Sequence, residues 1–270
     1  MTTIPESEGR SLFGQAAASY DQVRPAYPAW MFEKLEDEGV LRPGTNTLDV
    51  GAGSGIASWA LAERGAYPLT LVEPDKRFAG HLAAVVDGEG TKCRVLHEPF
   101  ETVNLPAAGF DLAVCATTFH WLAPESRVAR LAKVVRPGGA VALLWNVFQD
   151  LDKPDPFHEA TRDLMAPLAS SPSGKPDALP FALDRQHMVE EFTANSLFSD
   201  AFYGESRWPF TLDPSGVRAL YAGFSGVAAQ PPSQREDLLD KLETIARDNF
   251  NGQVIRNMTS PLYLFIRTES

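Results

Sequence analysis

The chain has 270 residues and a formal charge of −11, from 24 basic and 35 acidic side chains. Because nucleic acids and anionic membranes attract clustered lysine and arginine, this balance argues against both as partners. The two cysteines, Cys93 and Cys115, show no metal-ligand spacing, which argues against structural zinc, and Cys115 lies in an apolar run typical of a buried thiol.

The amino terminus and the apolar runs bear on location and on domain number. The first ten residues are polar, and no run of about 18 apolar residues occurs. We therefore expect no signal peptide, no transmembrane helix and a cytoplasmic protein. The length fits one α/β domain with an insertion or a cap.

Short apolar runs alternate with helical patterns in the first half of the chain, which is typical of a parallel sheet flanked by helices. The predicted strands are 46–50, 69–73, 94–97, 110–116 and 140–145. The predicted helices are 56–64, 75–86 and 124–135, the last of which is ended by an Arg-Pro-Gly-Gly turn at 136–139. Since the strands are nearly continuously apolar, we expect both faces of the sheet to be covered.

The second half of the chain has a weaker pattern. Residues 151–204 are predicted to form a cap or insertion that contains a helix at 186–195. Residues 205–270 are predicted to complete the core. Their predicted elements are a strand at 206–212, helices at 214–224 and 234–248, and a last strand at 261–268.

The strongest local signal is LDVGAGSG at residues 48–55, where an apolar run carrying Asp49 leads into Gly51, Gly53 and Gly55 before a predicted helix. Glycines at such a turn let the backbone bend sharply and approach a ligand closely. Glu73 closes the next predicted strand, where a carboxylate can accept hydrogen bonds from both hydroxyls of a ribose. The pattern predicts a nucleoside site at the carboxyl ends of parallel strands.

The glycine pattern by itself leaves the cofactor open. A dinucleotide site also has a glycine turn, followed by an acidic residue about 20 positions later. The spacing here is GxGxG, whereas the dinucleotide pattern is GxGxxG and serves a pyrophosphate. A tight turn without any ligand is the remaining alternative.

Five segments, in order, resemble the class I S-adenosylmethionine (SAM)-dependent methyltransferases. LDVGAGSG resembles that family's first motif, and VEP at 72–74 its second. FDLAVCATTFHW at 110–121 is similar to the fourth-strand motif, and LAKVVRPGG at 131–139 to the helix and turn before the fifth strand. Residues 13–28 resemble the N-terminal segment of a small-molecule branch that includes trans-aconitate methyltransferase-like enzymes.

The resemblance covers residues 13 to about 146. It implies an α/β, Rossmann-like methyltransferase fold. In that fold a mostly parallel central sheet has helices on both faces and an antiparallel C-terminal strand. It also implies that residues 1–30 close over the cofactor and that residues 31–150 bind it.

The resemblance implies SAM as the cofactor, with Glu73 on the ribose, Asp49 near the amino group and Arg24 paired with the carboxylate. At the adenine edge, Pro99 and Phe100 stand where relatives carry an acidic and a small residue. The carboxylate contact to adenine N6 is therefore expected to be replaced by Glu101 or by the Phe100 backbone. The full set of implied cofactor residues is Tyr20, Arg24, Asp49, Gly51, Ala52, Gly53, Gly55, Glu73, Pro74, Asp75, Pro99, Phe100, Glu101 and Thr117. Tyr20 and Arg24 are also compatible with a packing aromatic and an exposed cation.

His120 and Trp121 follow the fourth strand, at the edge of the sheet where the methyl group is expected to emerge. His120 is the predicted catalytic residue, either as a general base or as a hydrogen-bond donor to an acceptor carboxylate; the alternative is a packing histidine. A similar His-Trp pair occurs in relatives that methylate the carboxylates of small apolar acids. The predicted substrate residues are His120, Trp121, Trp145, Asn146 and Tyr221.

These patterns predict a methyltransferase that acts on a small molecule, on a carboxylate or hydroxyl oxygen, with nitrogen and carbon acceptors left open. An NAD-dependent oxidoreductase and a non-catalytic SAM-binding protein are the alternatives. A nucleic-acid methyltransferase is disfavoured by the charge and by the lack of an [N/D]PP[Y/F] motif after the fourth strand. The expected partner is a small-molecule methyl acceptor, and a homodimer is left open.

Overall fold

The structure is a computed structural model that describes residue 4 and residues 23–89, 92–169 and 179–269. The strands are β1 (Thr47–Val50), β2 (Leu69–Val72), β3 (Cys93–Leu96), β4 (Phe110–Ala116), β5 (Val135–Leu144), β6 (Phe198–Leu212) and β7 (Val254–Arg267). The α-helices are α1 (Ala29–Asp37), α2 (Ile56–Glu63), α3 (Ala79–Glu89), α4 (Arg127–Val134), α5 (Pro156–Met165), α6 (Arg185–Thr193), α7 (Pro214–Ala222), α8 (Ser225–Ala228) and α9 (Pro232–Asn249). Short 3-10 helices lie at Lys76–Phe78, Phe119–Trp121 and Phe181–Leu183.

The strands form one sheet in the order β3-β2-β1-β4-β5-β7-β6. Strands β1 to β5 pair in parallel, and β7 pairs antiparallel with β5. Every residue of β1 and β2 is buried, as expected for apolar strands covered on both faces. The predicted α/β fold with an antiparallel C-terminal strand is therefore confirmed.

The strand order reverses between β1 and β4. These strands are direct neighbours, and the chain leaves them toward opposite sides of the sheet, to β2 and to β5. In open α/β sheets, such a switch point leaves a crevice beyond the carboxyl ends of the two strands, where ligands bind. The glycine loop follows β1, and Thr117 follows β4, so both lie at this position.

The predicted boundary at Arg-Pro-Gly-Gly is wrong. Strand β5 begins at Val135, which pairs with Phe110, and the register then shifts before Ala140 pairs with Leu112. The extra residues bulge out of the ladder, with Gly138 at a φ of 70°. The preceding helix is also shorter than predicted, because α4 begins at Arg127.

Strands β6 and β7 are both longer than the sequence predicts. Strand β6 is last in the sheet order, so it is an edge strand, and many of its side chains are exposed. An edge strand can carry polar residues. The first half of β6 is therefore not an apolar run, and the sequence pattern did not predict it. The early part of β7 is likewise interrupted by Arg256, Asn257 and Thr259.

The chain divides into two compact units. The larger unit comprises residues 26–145, 181–205 and 260–270; the smaller unit comprises residues 1–25, 146–180 and 206–259. The core of the smaller unit consists of Phe157, Leu212, Val217, Leu220, Tyr221, Val227, Leu238, Leu239, Leu242, Ala246 and Val254. The roles predicted for segments 1–30, 31–150, 151–204 and 205–270 stay predictions.

Candidate functional site

The glycine loop bends in a way that requires glycine. Gly51, Gly53 and Gly55 have φ angles of 70°, 55° and 91°, in the left-handed region that L side chains rarely adopt. The amides of Gly51 and Ala52 donate to the Val72 carbonyl, at 2.7 and 3.1 Å, and tie the loop to the end of β2. A Cβ on Gly53 would have no atom within 4 Å, so this part of the loop faces open space.

The Glu73 carboxylate lies against that bend. It is buried, and it accepts hydrogen bonds from the amides of Gly53, at 2.9 Å, and Asp75, at 2.8 Å. A carboxylate at this position is of the type that accepts hydrogen bonds from the hydroxyls of a ribose. The structure therefore brings Glu73 and the glycine loop together, and the predicted binding of a ribose stays a prediction.

Asp49 is buried at the end of β1. One carboxylate oxygen accepts a hydrogen bond from the Ser58 hydroxyl at 2.5 Å, and the other is buried with no hydrogen-bond partner among the described residues. Burial raises the pKa of Asp49 to about 7; the Ser58 hydrogen bond opposes this, and the nearby Glu73 adds to it. A buried acceptor without a donor is rare, and an ammonium group in the crevice would satisfy it.

Two threonines at the end of β4 complete this edge. Thr117 has a φ of 55°, its amide donates to the Leu144 carbonyl at 2.7 Å, and its hydroxyl is hydrogen-bonded to Tyr27 at 2.8 Å. The Thr118 hydroxyl lies 3.1 Å from the Gly51 carbonyl. A Cβ on Gly51 would come within 2.3 Å of the Thr118 side chain, so this close approach requires glycine. Thr117 was expected from the sequence, whereas no local motif indicates the contact of Thr118 with the loop.

The segment after β2 holds two of the predicted adenine-flanking residues. Pro74 is half-buried. The Asp75 carboxylate accepts hydrogen bonds from the backbone and the guanidinium of Arg77 and caps a short 3-10 helix. The pairing raises the pKa of Arg77.

The segment after β3 differs from the expected adenine edge. The Phe100 ring is buried under the Arg130 guanidinium, 5.1 Å from it, and the Phe100 carbonyl accepts a hydrogen bond from Arg130. Glu101 accepts a hydrogen bond from the Ala123 amide at 3.2 Å, and Pro99 is exposed. Contacts of these residues with adenine stay a prediction.

His120 sits in the 3-10 helix that follows β4 and is buried among aromatic rings. The Trp145 indole N–H donates to His120 Nδ1 at 3.3 Å. The rings of Trp121, Trp145 and Phe181 lie 5.2, 6.5 and 6.2 Å from the imidazole, and we call these three side chains the aromatic wall. Phe181 was not predicted, because it comes from a distant segment of the chain with no local motif.

A buried ion pair supports the loop that carries His120. Arg127 on α4 binds Glu191 on α6 through two hydrogen bonds of 2.5 and 2.6 Å, and its remaining nitrogen donates to the Phe119 carbonyl at 3.2 Å. The guanidinium lies over the rings of Phe119 and Phe181, at 4.2 and 5.2 Å. The bidentate geometry is typical of a strong arginine–carboxylate contact. No local motif in the sequence indicates this pair, because its two residues lie far apart along the chain.

Two other predicted residues, Arg24 and Asn146, belong to the smaller unit. The Arg24 guanidinium lies 5.8 Å above the Phe224 ring. The Asn146 side chain donates to the Pro25 carbonyl at 3.1 Å. Their predicted ligand contacts stay predictions, and Tyr20 lies outside the described residues.

Tyr221 lies in the core of the smaller unit. Its hydroxyl accepts a hydrogen bond from Arg256 at 2.7 Å, and Arg256 also binds Asp155 at 2.7 Å. Burial raises the pKa of Tyr221. Packing and this hydrogen bond account for the buried position of Tyr221. Its predicted contact with the methyl acceptor stays a prediction.

The described residues also bear on metals and membranes. Among them, no group of three or more His, Cys, Asp or Glu side chains is placed to hold a metal ion. Within the same part of the chain, no helix combines the length and the hydropathy needed to cross a membrane. Both cysteines are free and buried, and burial raises the pKa of Cys115 above its usual range.

Comparison with known proteins places this geometry in context. A family model described as a methyltransferase domain matches residues 48–143. An uncharacterized methyltransferase of Mycobacterium tuberculosis is 31% identical over 256 residues, which span 92% of each chain. The malonyl-[acyl-carrier protein] O-methyltransferase of Serratia marcescens is 29% identical over 140 residues, 52% of each chain.

A solved structure shows that the fold is shared more widely. The [4+2]-cyclase SpnF is 13% identical and superimposes with a TM-score of 0.64, covering 100% of this chain and 98% of its own. At this identity the likeness concerns the fold alone, since one fold hosts many reactions.

Proposed function

Because the chain belongs to the class I SAM-dependent methyltransferases, we propose that it methylates an oxygen atom of a small molecule. The observation that carries the proposal is the buried His120 imidazole, which is hydrogen-bonded to Trp145 and enclosed by the aromatic wall beyond the carboxyl end of β4. Small-molecule sites are typically apolar, with a few placed polar groups. Membership of the family also sets aside the NAD-dependent oxidoreductase.

The residues at the switch point fit SAM as the cofactor. In this proposal Glu73, which lies against the glycine loop, accepts hydrogen bonds from the ribose hydroxyls. The Asp49 oxygen that has no partner among the described residues accepts one from the amino group. The loop at Gly53 leaves room for the ligand to lie against the backbone. SAM supplies a methyl group activated by a sulfonium: as the acceptor oxygen bonds to the methyl carbon, the sulfur–carbon bond breaks and its electron pair stays on sulfur.

The protein's task is then to hold the acceptor in line, because the donor carbon is already activated. In this proposal His120 contacts the acceptor oxygen, and the aromatic wall packs against the apolar body of the acceptor and excludes water. The Serratia relative, named as a malonyl-[acyl-carrier protein] O-methyltransferase, supports oxygen as the acceptor atom. The net charge of −11 favours a small molecule over nucleic acid as the acceptor. We also propose that the enzyme acts in the cytoplasm.

Two variants test the cofactor site. Gly53→Val places a β-branched side chain at a positive φ in the space left for the ligand, and Glu73→Ala removes the ribose acceptor. We expect each variant to weaken S-adenosylhomocysteine binding about 100-fold or more in calorimetry. For Glu73→Ala this is the size of two lost hydrogen bonds to a charged group, and for Gly53→Val the cause is steric. Gly80→Val, at an exposed glycine with open space around it, is the control. Unchanged affinity for both test variants would refute the site.

The acceptor is tested by product mass. The enzyme is incubated with isotopically labelled SAM and a panel of small carboxylic acids, alcohols, phenols and amines. We expect the labelled methyl group on oxygen. Label found only on nitrogen or carbon contradicts the proposal, whereas intact S-adenosylhomocysteine binding without turnover on any acceptor favours a non-catalytic SAM-binding protein.

A further inference from the structure

Two stretches of the larger unit supply rings to the aromatic wall around His120. The first stretch runs from the 3-10 helix after β4 into α4, and it carries His120, Trp121 and Arg127. The second stretch runs from the 3-10 helix before α6 into that helix, and it carries Phe181 and Glu191. The ion pair between Arg127 and Glu191 therefore joins the stretch that holds His120 to the stretch that holds Phe181.

The Arg127 guanidinium contacts both stretches at once. Besides its two hydrogen bonds to Glu191, it donates to the carbonyl of Phe119, the residue directly before His120, at 3.2 Å. Its central carbon lies 5.2 Å from the centroid of the Phe181 ring, which is itself 6.2 Å from the imidazole. A planar guanidinium can do this because it hydrogen-bonds at its edge while an aromatic ring packs against its face.

Stability alone does not explain why a charged pair occupies this position. The side chains of Arg127 and Glu191 are only 5% and 16% exposed. Removing such charges from water costs about as much as their attraction returns, so apolar residues of similar volume often stabilise a fold equally well. An apolar pair cannot reproduce the hydrogen bond to the Phe119 carbonyl, and this contact reaches the residue next to His120.

We propose that Arg127 and Glu191 are positioning residues, which fix the His120 segment relative to Phe181 and thereby determine which acceptors fit against the aromatic wall. The inference rests on the proposed function in one respect, because it takes this wall as the acceptor site. Methyl transfer needs the acceptor held in line with the donor carbon, and a misplacement of about 1 Å can cost about 100-fold in rate. A bidentate pair with a third hydrogen bond restrains the wall against such a displacement.

Hydrogen exchange can report this restraint without any acceptor. The Phe119 carbonyl also accepts a hydrogen bond from the Leu122 amide, at 3.2 Å, so exchange at Leu122 measures opening of the His120 segment. The Thr47 amide donates to the Pro68 carbonyl at 2.8 Å, at the start of β1, and serves as the reference for the rest of the unit.

The first test variant combines Arg127→Met with Glu191→Leu. It leaves no unpaired charge, so we expect it to keep most of the urea midpoint of the wild type. Exchange at Leu122 should become about 10-fold faster, the size of one lost hydrogen bond, while exchange at Thr47 changes little. Unchanged exchange at Leu122, or equal acceleration at both amides, overturns the proposal.

Arg127→Lys is the second test variant, and it keeps a positive charge beside Glu191. Lysine lacks the planar fork, so it cannot bind the carboxylate, donate to the Phe119 carbonyl and pack against Phe181 together. We expect the same acceleration at Leu122 as in the double variant. Wild-type exchange in Arg127→Lys would show that charge alone is sufficient and would overturn the positioning role of the guanidinium.

Kinetics test the selection of acceptors. The probe is the compound that the panel described above shows to be methylated. In the double variant we expect kcat/KM for this compound to fall about 10- to 100-fold, and the affinity for S-adenosylhomocysteine to change less than about twofold. Arg136→Met, which breaks an exposed ion pair of the same unit, should leave both unchanged. An undiminished kcat/KM in the double variant overturns the positioning role.

His120→Ala separates a failure of this inference from a failure of the proposed function. Lower turnover in His120→Ala, together with unchanged turnover in the double variant, overturns the inference and leaves the acceptor site in place. Full turnover in both variants removes the aromatic wall from the acceptor site and overturns the proposed function there. Exchange at Leu122 then still decides whether the ion pair holds the His120 segment.

Discussion

Thr117 holds a backbone conformation that a β-branched residue rarely adopts. Its φ of 55° lies in the left-handed region, at the end of β4 beside the glycine loop. Such strain costs about 1–3 kcal/mol and persists only where neighbouring contacts enforce it. Here the Leu144 carbonyl and the Tyr27 hydroxyl provide those contacts.

Replacing Thr117 separates strain from hydrogen bonding. In Thr117→Val the strain remains and the bond to Tyr27 is lost, so we expect about 1–2 kcal/mol of destabilisation. In Thr117→Gly relief of strain offsets that loss, so the free energy of unfolding should change by less than about 1 kcal/mol. Urea unfolding measures both, with Ser196→Gly, at an exposed left-handed residue, reporting strain relief alone. Equal losses for both Thr117 variants would contradict this account.

Asp49 predicts a pH dependence of stability. Its folded-state pKa of about 7 lies above the ordinary value of 3.8, so the folded protein binds this proton more tightly than the unfolded chain does. The contribution to stability is therefore fully present below about pH 4 and is lost as the pH rises to about 7, by an amount of about 4 kcal/mol.

Asp49→Asn removes this titration. We expect the variant to gain stability relative to the wild type as the pH rises from 5 to 7 and the difference to level off above that, as read from urea unfolding at each pH. A difference that stays constant from pH 5 to pH 8 would contradict the raised pKa. Asp111→Asn is the control. Because the pKa of Asp111 is lowered, this carboxyl stays ionised from pH 5 to pH 8 and its replacement should give a constant difference.

At the scale of elements, the ion pair between α4 and α6 should matter for stability. Arg127→Met leaves the partly buried Glu191 carboxylate without its bidentate arginine partner, and we expect a loss of about 2–4 kcal/mol. Arg127→Met combined with Glu191→Leu should recover much of that loss, because no unpaired charge remains. Arg162→Met breaks an exposed pair on α5 and should cost less than about 1 kcal/mol. Equal costs for the Arg127 and Arg162 variants, measured by urea unfolding, would refute the role of the buried pair.

The sequence predicted best those elements whose surroundings are uniform. Strands β1, β2 and β4 are apolar runs buried on both faces, and their predicted limits agree with the structure within one residue. Strand β6 was half missed because an edge strand need not be apolar. The bulge at the start of β5 was read as a turn, because Pro137, Gly138 and Gly139 carry the same local signal in either setting.

At the scale of the whole molecule, the two halves of the proposed site differ in how far the sequence could predict them. The cofactor side depends on a sharp backbone bend, and this bend requires glycines that stand close together in the sequence. Glu73 follows at the end of the next strand. The acceptor side depends on contacts between distant parts of the chain. Phe181 reaches His120 from more than 60 residues away, and Glu191 meets Arg127 across 64 residues. Residue spacing in a single sequence does not predict such contacts.

The rings of the aromatic wall come from three separate stretches of chain, whereas the bend proposed to hold the methyl donor is a single turn. A single substitution in the wall therefore alters one side of the proposed acceptor pocket and leaves the sequence of the glycine bend unchanged.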